Sequence, residues 1–496
     1  MQNITFDDSV STFVGVVAQT LGMNTALSGL LLRDAAGRLT LVTEKPITAT
    51  LANKLSKNLV AVMAPYVRPG RVVISKETPG VESILAGAFY GWAMARFEHN
   101  GEPTIAMVHI VDRRIVGRDW QTQPVRGWEP PGPARVVFAS LKGGVGRSTA
   151  LAVLASDLAY DGKNVLVVDL DLEAPGIGTM LVSSNTRPRY GVLDWMVESN
   201  LQDVGPEFLA QMIAPSDFSG GRGVIDVVPA VGSSSDENPQ NVLSKLARAY
   251  LEDARDGVEA TFLTKVGKLL EALSERRTYD AILIDARAGL HETTAASVLG
   301  LGADVLFFGM NSTQTFESYR FLLSQIKEAL DDQDAIRSTQ AYLAHERDDE
   351  EEQPKELPLL SQEFIGRIKF IHAKSPKEDV EQTRFRDRLH RMLVEMGFYR
   401  TDSIELVHDE PEEGSDAKFV FHPAIGVDDE TAPHYAWPIF GSSLYSVFDP
   451  FAADDADVKG QPAVDLKQLE PTNYEEAFGE FLKNVRERIR LPRSQT

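Results

Sequence analysis

Two sets of residues in this chain have types and spacing that suit phosphate and cation chemistry. The first is LKGGVGRST, Leu141 to Thr149, which follows the apolar run ARVVFAS and opens the helix-forming run TALAVLASDLAYDG. A glycine loop between a buried strand and a helix aims successive backbone N–H groups at one point, and the helix N-terminus adds the positive end of its dipole. An anion is the natural ligand. The second set is acidic: Asp169 and Asp171 lie in VLVVDLDLEAPG, and Asp285 ends the strand-like run in YDAILIDARAGL. Side chains repeat every two residues along a strand, so Asp169 and Asp171 share a face. A carboxylate such as Asp285 at a strand end can hold magnesium through water, and the metal then neutralises charge developing on a phosphate.

The common phosphate-loop pattern G-x-x-x-x-G-K-[ST] fails here twice: Leu141 stands at the first glycine and Arg147 at the lysine. A narrower pattern, K-G-G-x-G-K-[ST], fits Lys142, Gly143, Gly144, Val145, Gly146, Arg147 and Ser148 with arginine at the second basic position. In this loop, in the D-x-D of Asp169 and Asp171, and in the Asp285 strand, the chain resembles the ParA/MinD family of deviant-Walker ATPases over roughly residues 135–330.

The resemblance implies an α/β P-loop NTPase fold with a mainly parallel sheet flanked by helices, ATP or ADP with Mg2+ as ligands, and a homodimer in the ATP state. It assigns catalytic roles to Lys142, which reaches across to the partner's phosphates, to Arg147, and to Asp171, which polarises the attacking water. Gly143, Gly144, Val145, Gly146, Arg147, Ser148 and Thr149 are the implied nucleotide-binding loop, and Asn311 the implied base contact. Ser148, Asp169 and Asp285 would serve the metal. Glu173, Arg287 and Gly289 fall in switch loops, Arg287 where the family has proline. Arg147 keeps a permanent charge and can fork onto two phosphate oxygens, but its planar head is bulkier than an ammonium and can slow γ-phosphate transfer. His291, just beyond, reads as a capping or packing residue.

The elements that must position these residues are legible as strand–loop–helix–strand from Ala134, then DAILIDAR, ADVLFFGMN and RIKFIHA, which together imply crossover helices on a parallel sheet. Insertions fall near 183–275, where extra helices are expected, near 346–356, where RDDEEEQPKE is charged, and near 402–471, which is acidic and loop-rich. A closing helix, YEEAFGEFLKNVRERIR, carries Phe478, Phe481, Leu482, Val485 and Ile489 on one stripe, expected to pack on the sheet. The proline-rich linker 121–133 separates this unit, 134–496, from residues 1–120. There LSGLLLRDAAGRLTLVTE reads as two strands about a turn, ATLANKLSKNLVAVMAPYV as a helix and TIAMVHIVD as a strand, a small α+β domain expected to read a protein partner.

Composition narrows the function. With 496 residues and 43% apolar content the chain can bury sizeable cores, and its net charge of −22 opposes nonspecific adhesion to nucleic acid or anionic lipid. Zero cysteines exclude thiol catalysis and thiolate-held clusters, which separates the chain from iron-protein and arsenite-pump relatives. With neither a signal-peptide pattern nor an 18–20-residue apolar run, the expected location is cytoplasmic. Arg113, Arg114 and Arg118, and in the tail Lys483, Arg486, Arg488, Arg490 and Arg493, are candidate contacts for DNA or lipid that read more simply as solvated faces. Two functions follow from the resemblance: a slow ATPase acting as a dimer switch for a partner complex, or a catalytically weak nucleotide-binding scaffold like the pilus-assembly localisation proteins.

Overall fold

The computed structural model describes residues 4–85, 90–114, 119–122, 132–251, 253–255, 258–348, 360–399, 403–407, 418–422, 425–451 and 466–491. Most of the linker 121–133, most of RDDEEEQPKE, Arg118 and Arg493 lie outside these residues. The chain divides into two compact units, Met1–Thr122 and Gln123–Thr496.

In the first unit, α1 (Phe6–Leu21) leads into β1 (Leu30–Arg33), β2 (Leu39–Thr43), α2 (Ala49–Met63), β3 (Val73–Ser75), β4 (Gly91–His99) and β5 (Glu102–Asp112). The sheet order is β3-β2-β1-β5-β4. One face is sealed by α1 and α2, whose Phe13, Val14, Val17, Leu55 and Leu59 bury against Leu39, Leu41, Ala95 and Val108. On the other face the β4–β5 hairpin leaves Trp92, Met94, Ile105 and Met107 exposed. The two expected strands, the helix and the later strand all appear here; α1, β3 and β4 add to them.

The second unit is built on eight strands: β6 (Ala134–Ser140), β7 (Asn164–Asp169), β8 (Ala214–Pro215), β9 (Val224–Val228), β10 (Ala281–Asp285), β11 (Asp304–Gly309), β12 (Ile368–Ser375) and β13 (Trp437–Phe440). Their order is β13-β12-β11-β6-β10-β7-β9-β8, parallel throughout except for β8. A parallel sheet needs helices on both faces, which is why β6, β7 and β10 read as unbroken apolar runs. All five residues of β10 are buried. Helix α3 (Arg147–Tyr160) begins directly after the phosphate loop and is buried over most of its length.

The extra helices expected across 183–275 are present, but strands also arise there and within the loop-rich segment 402–471. Strands β8 and β9 come from the first segment and β13 from the second, extending both edges of the sheet. Their shortness and their proline content (Pro215, Pro438) weakened the strand pattern. The closing helix (Pro471–Arg488) packs as expected: Phe478, Phe481, Leu482, Val485 and Ile489 join the sheet core, with Phe481 edge-on to Phe138 and Phe308 at ring distances of 6.5 and 6.2 Å.

Candidate nucleotide and cation site

Parallel strands end on the same edge of a sheet, and β10 lies between β6 and β7 with Asp285 in register with both Phe138 and Asp169. That adjacency brings residues 142–148, 169–171 and 285 to one crevice at the carboxyl ends of the strands. Gly144 and Gly146 take φ of 75° and 84°, a left-handed conformation that side chains rarely adopt, and a Cβ at either position would meet no protein atom within 4 Å. Val145 between them is buried in the sheet core and anchors the loop. Lys142, Gly143 and Gly144 are exposed, whereas Arg147 is buried.

Arg147 turns toward the carboxylates. Its Nε donates to Asp285 Oδ1 at 2.5 Å, Nη2 to Asp171 Oδ2 at 3.0 Å and Nη1 to Ser140 Oγ at 3.4 Å. Ser148 Oγ donates to Asp285 Oδ2 at 2.6 Å. The remaining aspartate oxygens accept backbone amides: Asp171 Oδ1 from Ala174, and Asp169 from Asp171 and Gly176. Burial opposes the charge on Arg147, but Asp285 and Asp171 hold its guanidinium above the ordinary value. Burial raises Asp285 above the usual carboxylate range against the pull of Arg147 and Ser148. Asp169 is pushed up further, by burial first and the Asp285 charge second.

The two loops that follow Asp171 and Asp285 are tied to each other. Glu173 forms an ion pair with Arg287 and accepts from Tyr250 Oη at 3.4 Å, and His291 Nε2 lies 3.3 Å from it. Burial and the Glu173 charge raise the Tyr250 phenol above its ordinary value. His291 also caps the short helix Glu292–Ala295, its Nδ1 accepting from Thr293 N at 3.4 Å, so the capping reading of this histidine stands. Gly289, with φ of 98°, donates its N–H to Ser140 O at 2.9 Å and so closes its loop against the end of β6. Asn311 is engaged at both ends of its carboxamide by the helix Asp379–Glu395, donating to Glu381 at 3.3 Å and accepting from Arg388 at 2.6 Å.

One cation at the crevice was not singled out from the sequence. Lys374, near the end of β12, has φ of 52° and donates from Nζ to Gly144 O at 2.8 Å. It lies 230 residues from the loop it touches, and no local pattern marks it. Of the basic tail residues that the structure describes, Arg486 and Arg488 are engaged within the fold, whereas Lys483 and Arg490 are exposed. Arg486 is buried on Asp157 and Asp161, and Arg488 bonds Asp304 at 2.7 Å. Arg114 pairs with Asp112 at 3.2 Å.

Residues 134–205 match the family model described as ParA, NUBPL iron-transfer P-loop NTPase. Over that stretch the chain is similar to ParA-family P-loop NTPases. Among curated proteins it is similar to a replication protein A of Sinorhizobium fredii, 27% identical over 150 residues, 30% of this chain and 33% of that protein. It is also similar to an iron-sulfur cluster carrier protein of Methanocaldococcus jannaschii, 46% identical over 57 residues, 12% of this chain and 20% of that protein. The chain thus spans a third or less of the length of these relatives. Among solved structures, an ATP complex of McdA from Cyanothece aligns at a TM-score of 0.39 and 14% identity, covering 74% of this chain and 100% of that one.

The residues present fit a nucleotide and its metal. Backbone N–H groups at a loop-to-helix junction suit phosphates, and hydroxyl and carboxylate oxygens are the hard ligands magnesium takes. Among the described residues no three acidic or histidine side chains form a ready cage for a metal. A divalent ion would therefore draw further oxygens from phosphate or water.

Proposed function

We propose that this chain is a nucleotide-dependent switch that binds ATP and hydrolyses it slowly. The observation that carries the reading is the convergence of the phosphate loop with Asp171 and Asp285, through Arg147 and Ser148, at one strand-end crevice. ATP or ADP would lie over Gly143, Gly144, Val145, Gly146, Arg147, Ser148 and Thr149. Mg2+, held by Ser148 and Asp285 with Asp169 behind them, would neutralise charge on the phosphates. Asp171 orients the water, and the exposed Lys142 reaches a second copy in an ATP-state homodimer. Asn311 would contact the base only by giving up a bond to the helix Asp379–Glu395. Glu173, Arg287 and Gly289 form the switch loops. With no cysteine, the chain has no thiolate for iron-sulfur cargo.

A protein partner fits the N-terminal unit, where Met94 pairs with Met107 across β4 and β5, flanked by Trp92 and Ile105, all exposed. Apolar side chains grouped in this way mark contact surfaces. DNA remains a weaker reading, since Arg486 and Arg488 are engaged inside the fold. Among the described residues no helix is long and apolar enough to cross a membrane.

The second reading, a scaffold with little turnover, is favoured by one observation: Arg147 faces carboxylates as well as the phosphate loop. Turnover separates the two. A fluorescent ATP analogue should saturate the wild-type protein, and Gly146→Val should abolish binding because valine tolerates neither the φ of 84° nor a side chain facing the anion. Hydrolysis should run at about one turnover per minute, far below the enzyme median of about 10 per second. A wild-type rate equal to that of Asp171→Ala, with partner proteins present, would select the scaffold. Absence of saturable binding up to millimolar nucleotide would end both readings.

A further inference from the structure

We infer that Arg147 is the resident counter-ion of Asp171 and Asp285, so that a guanidinium and a divalent cation occupy Asp285 in turn and nucleotide binds before metal. The inference rests on the nucleotide-binding reading above. It departs from the role implied by position, in which the second basic residue of the loop serves phosphate alone.

Three observations carry it. Arg147 is buried and bonded to both aspartates and to Ser140, a three-way attachment that a single ammonium could not reproduce in this planar geometry. The second Asp285 oxygen accepts from Ser148, so both oxygens of the carboxylate and the hydroxyl that would serve a metal are bonded to each other or to Arg147. The other Asp171 oxygen and both Asp169 oxygens accept backbone amides. A divalent ion reaching Asp285 must displace a charged donor that is already paired. Incoming phosphates offer that donor an equivalent bidentate partner. Once the guanidinium moves to phosphate, Asp285 and Ser148 are released for metal, which also gains phosphate oxygens.

The same logic makes nucleotide binding tolerant of metal removal. With Arg147 in place the carboxylates are already compensated and do not repel the phosphates. Without it they would, until a divalent ion takes its position.

The test titrates full-length wild type and Arg147→Met with a fluorescent ADP analogue, in EDTA and in magnesium, and separately follows Mn2+ uptake without nucleotide by its spectroscopic signal. Wild type should bind the analogue in EDTA within about threefold of its affinity in magnesium and take up no Mn2+ alone. Arg147→Met should lose at least about tenfold in EDTA, the scale seen when groups supporting a metal ligand are altered, and recover in magnesium. It should also take up Mn2+ at least about tenfold more tightly than wild type. Equal metal dependence in the two proteins, or Mn2+ uptake by nucleotide-free wild type as tight as by the variant, would overturn the inference. If Arg147→Met does not fold, Arg147→Lys replaces it, with a metal dependence expected to exceed that of wild type. Absence of analogue binding by wild type in either condition refutes the nucleotide reading instead, and the Mn2+ comparison still decides the counter-ion role.

Discussion

At the scale of single residues, the site depends on charges whose partners come from distant parts of the chain. Arg147 is the first of these and Lys374 the second. A non-glycine residue at φ of 52° carries backbone strain, and here the strained position delivers an ammonium to the outer carbonyl of the phosphate loop. Lys374→Met keeps the backbone and removes the donor. An exposed charged hydrogen bond is worth about 1 kcal/mol, so the variant should bind the ATP analogue about fivefold more weakly with little change in melting temperature. An unchanged affinity would assign Lys374 to the surface. The loop glycines and the aspartates were legible from sequence because their chemistry is local to a motif; the partners of Arg147 and Lys374 were not, since they lie 24, 138 and 230 residues away.

At the scale of elements, helices and loops hold the crescent of strand ends in place. Glu173 joins the loop after β7 to the loop after β10, and Tyr250 brings in the segment just beyond the helix Val242–Ala249, so three stretches of sequence meet on one carboxylate. The closing helix packs directly against α3 within the same sheet core. Arg486 donates to Asp157 Oδ2 at 2.5 Å, to Asp157 O at 2.8 Å and to Asp161 at 3.1 Å, and Tyr474 Oη adds a bond to Asp157 at 3.2 Å. Removing one member of a buried pair leaves an uncompensated charge, so Arg486→Met should destabilise the protein by about 3–5 kcal/mol, measured by denaturant unfolding. A loss below about 1 kcal/mol, the range of exposed ion pairs, would show that this arginine is a surface residue after all. The apolar stripe of the closing helix was readable from its spacing. The burial of Arg486 was not, because a basic residue beside that stripe looks the same in sequence whether it faces water or a buried aspartate.

At the scale of the whole molecule, the far edge of the sheet should be sensitive to acid. His372 on β12 stacks on Phe385, and His434 bonds Tyr399 and the carbonyl of Val427; burial depresses each to about 4 from an ordinary 6.5. Around His434 lie His390, Lys369, Asp429 and Tyr399. Groups held below their unfolded pKa contribute stability above pH 6.5 and lose it as pH falls through about 4. Unfolding free energy should therefore decline by on the order of 2 kcal/mol per histidine between pH 7 and pH 4, and His434→Asn should flatten part of that slope. An identical slope in the variant would remove His434 from the account. Sequence by itself determined the chemistry on offer: a glycine loop at a strand-to-helix junction, aspartates at strand ends, and apolar runs that only a sheet covered on both faces can bury. Those follow from local periodicity and from residue types with narrow uses. Strand order was decided by the tertiary structure, which inserts β10 between β6 and β7 and adds β8, β9 and β13 at the edges. It also decided where the arginine points, because a guanidinium takes whichever anion lies nearest, and which anion that is depends on strands that meet only after the chain has folded.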